Sequence, residues 1–229
     1  MASFDVVVFD LDGTLADTVP DITDAINVAL QAHGLPELNA SEIRAMLGDG
    51  VRVLVNRALK AVEASEEISL DAVFSTFLDY YSDHLAEKSY PWPDVENTLR
   101  QLKAEGVSIS LCTNKIERLT FPFLLSMGWE NIFASVVCGD TFPTQKPSPE
   151  PLIEAVHRAG GGRALFVGDT IVDLATANAA NIPCVIVDIE GHWQKNTTIN
   201  KLSPYKIISK FKDLLAIVNE PIYEPHIRN

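Results

Sequence analysis

Apolar residues follow two different spacings along the chain, and the change from one to the other divides it. Residues 6–9 form a short apolar run of the kind that makes a buried strand, and from residue 18 to 90 apolar positions such as Ile22 and Ile26 recur at helical spacing. No strand pattern interrupts that stretch. Beyond it, short runs rich in β-branched residues predict strands over residues 107–112, 133–138, 164–168 and 183–187.

The segments between these strands carry helical periodicity. Helices are predicted over residues 95–104, 116–127, 149–159 and 172–180. This alternation predicts the α/β fold class, a doubly wound parallel sheet with an all-helical cap inserted after its first strand. Residues 1–17 and 91–229 are expected to form the α/β core and residues 18–90 the cap domain, with hinges near residues 17–21 and 89–94.

Glycines and polar residues mark the ends of several predicted elements. Gly106, Gly128 and Gly160 fall at helix ends, where a left-handed cap is favoured. The sequence Gly-Asp-Gly at residues 48–50 indicates a turn between two helices. Residues 219–229, rich in proline and polar side chains, are predicted to be a loose tail.

The charge balance limits the possible partners. Acidic residues outnumber basic ones by 31 to 18, for a formal net charge of −13. That charge repels nucleic acids and anionic membranes, so an anionic substrate must be held by local cations. The first residues lack a basic and apolar leader, and no run has the length of a membrane span, which predicts a cytoplasmic protein. The three separated cysteines lie in apolar runs and are expected to be buried thiols.

Polar residues follow four of the predicted strands at the point where each strand ends. Open parallel sheets bind ligands at the carboxyl ends of their strands. The residues are Asp10 and Asp12, Thr113 and Asn114, Lys146, and Asp169 and Asp173. Taken singly, the second pair is interpretable as helix caps, the lysine as a solvated side chain, and the last aspartate as a charge that favours a helix dipole. Their coincidence at all four strand ends favours a common site.

These segments resemble, in order and spacing, the four motifs of the haloacid dehalogenase superfamily. The motifs are FDLDGTLADT at residues 9–18, LCTN at 111–114, KPSPEP at 146–151 and GDTIVD at 168–173. The resemblance extends from residue 5 to about 188, and the first motif followed by a helical cap is most similar to the phosphoglycolate phosphatase branch. It implies a Rossmannoid core and a phosphoric monoester hydrolase acting on a small phosphate ester, with 2-phosphoglycolate as the leading substrate.

The same resemblance implies the chemistry of the acidic residues. Asp10 is the nucleophile that forms an aspartyl-phosphate, and Asp12 protonates the leaving oxygen and then deprotonates the attacking water. Mg²⁺ is the implied cofactor, because carboxylates alone would repel phosphate. It is expected to be held by Asp10, the backbone carbonyl of Asp12 and Asp169, with Asp173 among the direct ligands or immediately behind them.

The remaining implied residues bind the substrate. Thr113 and Asn114 are expected to donate hydrogen bonds to the phosphoryl group, and Lys146 to supply a fixed cation. Arg52, on the cap, is expected to meet the carboxylate of the substrate. The cap is expected to close over the site, exclude water and select a small substrate.

Two positions depart from the family pattern, and several alternatives stay open. Asp94 and Asn181 stand where the family usually has glycine, but both residue types tolerate left-handed backbone. The alternatives are a phosphosugar mutase, a phosphatase for a sugar phosphate, nucleotide or pyrophosphate, and a non-enzymatic receiver module. A receiver carries its phospho-acceptor on a middle strand and lacks a large helical insertion and Asp12. A monomer or a homodimer is expected.

Overall fold

A six-stranded sheet forms the centre of the molecule, and a two-stranded ribbon lies beside it. The computed structural model describes residues 2–191, 193 and 202–220. The strands are β1 (Val6–Phe9), β2 (Ala16–Asp17), β3 (Tyr90–Pro91), β4 (Ser108–Cys112), β5 (Ser135–Val137), β6 (Ala164–Gly168), β7 (Cys184–Val187) and β8 (Lys206–Ile208). The main sheet is parallel throughout, in the order β5-β4-β1-β6-β7-β8. The predicted fold class is confirmed.

Helices cover the sheet and build the insertion. They are α1 (Val19–Ala32), α2 (Ala40–Arg44), α3 (Val51–Ala61), α4 (Leu70–Asp83), α5 (Val95–Ala104), α6 (Glu117–Ser126), α7 (Glu150–Arg158), α8 (Ile171–Ala179) and α9 (Leu214–Asn219). The prediction for α5 matches its bounds, and those for α6, α7 and α8 differ by one residue at each end. The predicted strands agree with β4 to β7 within two residues.

The carboxyl-terminal part differs from the prediction. Strand β8, the short 3₁₀ helix Phe211–Asp213 and α9 were not predicted. Asn219, the first residue of the predicted tail, closes α9, and residues 221–229 lie outside the described part of the chain.

Alternate residues of β1 enter the apolar layers on opposite faces of the main sheet. Val7 and Phe9 belong to the cluster that includes Leu99 of α5, whereas Val6 and Val8 belong to the one formed with α7 and α8. All four β1 residues are buried. Because both faces are covered, β1 is fixed at the middle of the molecule and holds the loop that follows it in a defined place.

The four helices of the insertion have an apolar core of their own. Ile22 and Ile26 of α1, Leu54 of α3 and Phe77 of α4 lie in one cluster. Leu119 of α6 belongs to the same cluster, although α6 is part of the α/β core. The insertion therefore rests on the core through a buried apolar contact.

The two connections of the insertion lie side by side. Strands β2 and β3 pair antiparallel, with Asp17 opposite Tyr90. Nearby, the buried carboxylate of Asp21 accepts hydrogen bonds from the backbone N–H groups of Lys88 and Ser89, at 2.9 and 2.7 Å. Hinges were predicted at these two places, but the ribbon that joins them was not.

Left-handed backbone occurs at the predicted helix ends. Gly106, Gly128 and Gly160 have φ values of 84°, 69° and 107°. Asp94 and Asn181 have φ values of 68° and 55°, so these two residues adopt the conformation that glycine would supply. The three cysteines are buried and free, as predicted. Within the described residues, no helix combines the length and the apolar character needed to cross a membrane.

Candidate active site

Asp10 is fixed at the carboxyl end of β1. Its backbone N–H donates to the carbonyl of Val167 at 2.9 Å, and the residue is buried. Lys146 Nζ lies 2.8 Å from Asp10 Oδ1 and 2.6 Å from Asp173 Oδ1. Lys146 is only 2% exposed, so it is not a solvated loop lysine. The structure thus joins three of the predicted residues in one buried ion-pair group.

A third carboxylate completes an acidic cluster beside Lys146. One oxygen from each of Asp10, Asp169 and Asp173 lies within 4.8 Å of the others. Asp173 is already engaged on both sides, because its Oδ1 faces Lys146 and its Oδ2 accepts a hydrogen bond from Thr170 Oγ1 at 2.6 Å. Both carboxylate oxygens of Asp173 therefore already have partners within the protein.

The cluster carries more negative charge than its surroundings offset. Burial raises the pKa of Asp10 to about 7; Lys146 opposes this rise and Asp173 adds to it. Burial also raises the pKa of Asp169 well above its usual value, and the charges of Asp173 and Asp10 act in the same direction. Buried oxygen donors with uncompensated charge are the environment that a hard divalent cation such as Mg²⁺ prefers.

Asp12 pairs with a lysine that the sequence analysis did not single out. Lys115 Nζ lies 3.0 and 3.3 Å from the two carboxylate oxygens of Asp12 and 2.9 Å from Tyr81 Oη. Burial alone would lower the pKa of Lys115, but Asp12 and Tyr81 outweigh it and raise the pKa above its usual value. The lysine is therefore held as a buried cation between the core and the insertion.

Thr113 and Asn114 follow β4 and serve different purposes. Thr113 Oγ1 accepts a hydrogen bond from the backbone N–H of Lys115 at 3.1 Å, and a hydroxyl that accepts in this way can still donate to a ligand. Asn114 Nδ2 donates to the carbonyls of Gly48 and Lys146 at 2.9 and 3.0 Å. Both amide hydrogens are thus engaged. The Asn114 side chain therefore fixes the Lys146 backbone and a turn of the insertion, and donation from Asn114 to a phosphoryl group stays a prediction.

Arg52 is turned outward on α3, and its contact with the substrate stays a prediction. Its guanidinium pairs with Asp71 and lies 5.3 Å from the centre of the Phe74 ring, with 55% of the side chain exposed. Val51 and Leu54 face the core of the insertion. A helix turns the residue after Val51 by about 100°, and Arg52 therefore points outward.

Another arginine of the insertion reaches the core instead. Arg44, at the end of α2, pairs with Asp17 at 3.0 Å and with Glu190 at 3.1 Å. Asp17 belongs to the ribbon, and Glu190 follows β7. Arg44 therefore links the insertion both to the ribbon and to the loop after β7.

Comparison with known proteins identifies the family. Residues 7–187 match the family model of haloacid dehalogenase-like hydrolases. The chain belongs to this family. It is 37% identical over 218 residues to phosphoglycolate phosphatase of Mesorhizobium japonicum, across 94% of this chain and 95% of the relative. It is 36% identical over 220 residues to phosphoglycolate phosphatase 1 of Pseudomonas aeruginosa, across 93% and 79% of the two chains.

A solved structure gives the same result. The crystal structure of a predicted phosphoglycolate phosphatase from Haemophilus somnus superposes with a TM-score of 0.84 at 30% identity, covering 95% of this chain and 99% of that one. The resemblance predicted from the four motifs is confirmed. The position of the phospho-acceptor does not argue against a receiver module. A receiver carries its phospho-acceptor on a middle strand, and β1, which precedes Asp10, is the third of the six strands in the sheet. The helical insertion and Asp12 still distinguish this haloacid dehalogenase-like hydrolase from a receiver.

Two cavities border the candidate site of this haloacid dehalogenase-like hydrolase. One of about 30 Å³ lies between core and insertion, and its walls include Asp10, Thr113 and Leu54. The other, of about 410 Å³, has Asp169 and Arg44 in its walls. The candidate nucleophile therefore faces a small space that the insertion covers, and the larger cavity reaches the acidic cluster from the outside.

Lys115 and Arg44 are the two cations of the site that sequence reasoning missed. A lysine after a strand is usually solvated, and an arginine in the last turn of a short helix has an ordinary role there. The one available signal is the position of Lys115 directly after the Thr-Asn motif. For Arg52, the apolar periodicity of α3 already indicated an outward direction.

Proposed function

We propose that this hydrolase is a Mg²⁺-dependent phosphatase that cleaves a small organic phosphate monoester, with 2-phosphoglycolate as its leading substrate. The observation that carries the proposal is the setting of Asp10. This buried carboxylate lies 2.8 Å from Lys146 and clusters with Asp169 and Asp173 at the carboxyl edge of the sheet. Relatives named phosphoglycolate phosphatase match over nearly the whole chain and support the same conclusion.

The residues supply what the reaction needs. Phosphate monoesters hydrolyse very slowly in water, so a site must provide a nucleophile, a proton donor and positive charge. Asp10 attacks the phosphorus, the bond to the alcohol oxygen breaks, and Asp12 gives that oxygen a proton. Asp12 then takes a proton from the water that attacks the aspartyl-phosphate and frees Asp10. Lys146 and the Thr113 hydroxyl stabilise the phosphoryl oxygens.

The acidic cluster fits the proposed metal. Asp10, Asp169 and the backbone carbonyl of Asp12 would hold Mg²⁺, while Asp173 keeps Lys146 in place behind them. Bound there, the ion would offset the charge of the carboxylates and of the phosphoryl oxygens.

The insertion covers the space beside Asp10, which supports the proposal that the substrate is small. The cavity of about 30 Å³ next to Asp10 has room for only a few water-sized groups, so movement of the insertion would widen the space that a substrate needs beside the nucleophile. We propose that residues 18–90 act as this mobile cap, with residues 1–17 and 91–229 as the core. A macromolecular phosphoester would not fit beneath it.

A steady-state assay tests the proposal. We expect kcat/KM with Mg²⁺ to be highest for 2-phosphoglycolate in a panel of sugar phosphates, nucleotides and pyrophosphate. EDTA should abolish turnover, and Asp10→Asn should lower kcat by at least about 10³-fold because the nucleophile is lost. Product analysis separates phosphate release from isomerisation by a mutase. Hydrolysis that persists in EDTA or in the variant would contradict the proposal.

A further inference from the structure

Lys115 links Asp12, the proposed general acid and general base, to the insertion. Its side chain is 0% exposed and lies between both carboxylate oxygens of Asp12 and the hydroxyl of Tyr81 in α4. We propose that Lys115 is a positioning residue that holds the Asp12 carboxyl group in place for proton transfer, and that Tyr81 holds Lys115. The inference rests on the proposed function and adds to it a residue that acts through Asp12.

The surroundings of Lys115 explain why the amine is retained. A buried ammonium is costly unless partners replace its water, and here Asp12 and Tyr81 do so. Its Nζ also lies 4.8 Å from the centre of the Tyr81 ring and 5.4 Å from that of Phe123. Aromatic rings at this distance attract a cation and restrict its position. These contacts restrict the position of the Lys115 amine, and the amine contacts both carboxylate oxygens of Asp12.

The arrangement makes the placement of Asp12 depend on the insertion. Asp12 belongs to the loop after β1, whereas Tyr81 lies in the apolar core of the insertion with Phe77. Lys115 is the shared partner of the two. A cap that is displaced takes the Tyr81 hydroxyl with it, and Lys115 then loses one of its two polar side-chain partners.

The step that this placement serves is the first half of the reaction. As Asp10 forms its bond to phosphorus, the bond between phosphorus and the alcohol oxygen breaks. Asp12 enters this step as a protonated carboxyl group, its proton moves to the alcohol oxygen, and the carboxylate that remains is the form that pairs with Lys115 through both oxygens. An alkoxide leaves poorly without this proton, whereas the carboxylate released from acetyl phosphate needs none. Acetyl phosphate is a mixed anhydride, and it is similar in size to 2-phosphoglycolate. The two compounds therefore distinguish misplaced proton transfer from general damage to the site.

The variant Lys115→Met tests the inference, because methionine keeps most of the length and the apolar stem but loses the charge. We measure kcat/KM, which reports the steps up to departure of the leaving group. It should fall about 30- to 100-fold for 2-phosphoglycolate, or for the best alkyl phosphate of the panel, and less than about fivefold for acetyl phosphate. Equal losses on both compounds would overturn the inference. A wild-type protein that hydrolyses neither compound would overturn the proposed function as well.

Tyr81→Phe provides the second test and removes only a hydroxyl, so the fold is retained even if Lys115→Met does not fold. It should lower kcat/KM for the alkyl ester about three- to tenfold and spare acetyl phosphate. In the Lys115→Met background it should add less than about twofold, because Tyr81 acts through the lysine. The matched control is Tyr80→Phe on the same helix, where the ring stacks on His84 at 4.0 Å. Equal effects of the two tyrosine variants would also overturn the inference.

Discussion

Gly13, in the loop after β1, lies close against Asp169. It has a φ of +87°, and a Cβ built on it would lie 2.3 Å from Asp169 Oδ2. Two hydrogen bonds keep the loop at this distance: Thr14 Oγ1 donates to Asp169 Oδ1 at 2.6 Å, and Trp92 Nε1 donates to the Gly13 carbonyl at 2.8 Å. Only glycine satisfies both the backbone angle and the close approach.

Replacing Gly13 by alanine should therefore damage activity more than stability. We expect Gly13→Ala to lower kcat by about 100-fold or more, because the new methyl group displaces Asp169. The left-handed backbone alone should cost about 1–2 kcal/mol of unfolding free energy. Gly34→Ala is the matched control, since Gly34 has a φ of +70° and nothing within 4 Å of its Cβ position. Comparable activity of the two variants would contradict this account.

At the scale of single residues, the sequence allowed prediction of the site residues that come directly after strands of the sheet. Asp10 and Asp169 come directly after strands, and the sheet brings strand ends together. The positions of strand ends do not predict the surroundings of Lys115 or the direction of Arg52, and the reason differs for each. The burial of Lys115 depends on Tyr81, 34 positions earlier in the chain, whereas the direction of Arg52 follows from the phase of α3. A motif gives the position of a side chain in the chain but not its surroundings.

At the scale of elements, α2 connects the insertion to the core through charge. Arg44 contacts Asp17 in β2 and Glu190 after β7, and its side chain is 26% exposed. Partly exposed pairs of this kind contribute about 1 kcal/mol or less, which is small for folding. The same energy is sufficient to change the ratio of open and closed states several-fold.

The variant Arg44→Met should loosen the cap. We expect KM for 2-phosphoglycolate to rise about fivefold while kcat stays within about threefold, because the substrate must then close a cap that is more often open. Arg100→Met is the control, since Arg100 pairs with Glu96 on the exposed face of α5. If kcat fell and KM did not change, Arg44 would act on the chemical step instead.

The longer elements were predictable because they repeat a pattern over several residues. Helix α5 has buried positions at Val95, Leu99 and Leu102, and its predicted bounds were correct. Strands β2 and β3 have two residues each, which is too short for alternation to be seen. Strand β8 has only Ile208 buried among its three residues, so its apolar signal is weak.

At the scale of the whole molecule, charge and metal binding are linked. The chain has a formal net charge of −13, and three carboxylates, two of them on buried residues, lie together at the carboxyl end of its sheet. A bound cation stabilises the folded state by mass action, by about 2.7 kcal/mol at 100 times its dissociation constant. We therefore expect saturating Mg²⁺ to raise the melting temperature of the wild-type protein by several degrees. Asp169→Asn should lose most of this rise, and an equal rise in both proteins would argue against binding at the cluster.

The raised pKa of Asp10 predicts how metal-free stability depends on pH. Its folded pKa of about 7 lies above its usual value of 3.8, so the folded state binds a proton more readily than the unfolded chain. In EDTA, this group should make the protein more stable as the pH falls from 8 to 5, and the gain should disappear as the pH rises through 7. We expect the wild type to gain about 2–3 kcal/mol relative to Asp10→Asn over that range, as measured by denaturant unfolding. Parallel curves would contradict the prediction.

The ribbon of β2 and β3 has a consequence for how such proteins diversify. Because the chain leaves the sheet and returns to it at neighbouring positions, whatever lies between them can be exchanged without moving a strand of the main sheet. The aspartates and Lys146 would then stay in register while the exchanged segment brought new walls to the cavity. Exchange of the inserted segment can thus change the substrate while the residues that carry out the reaction stay in place.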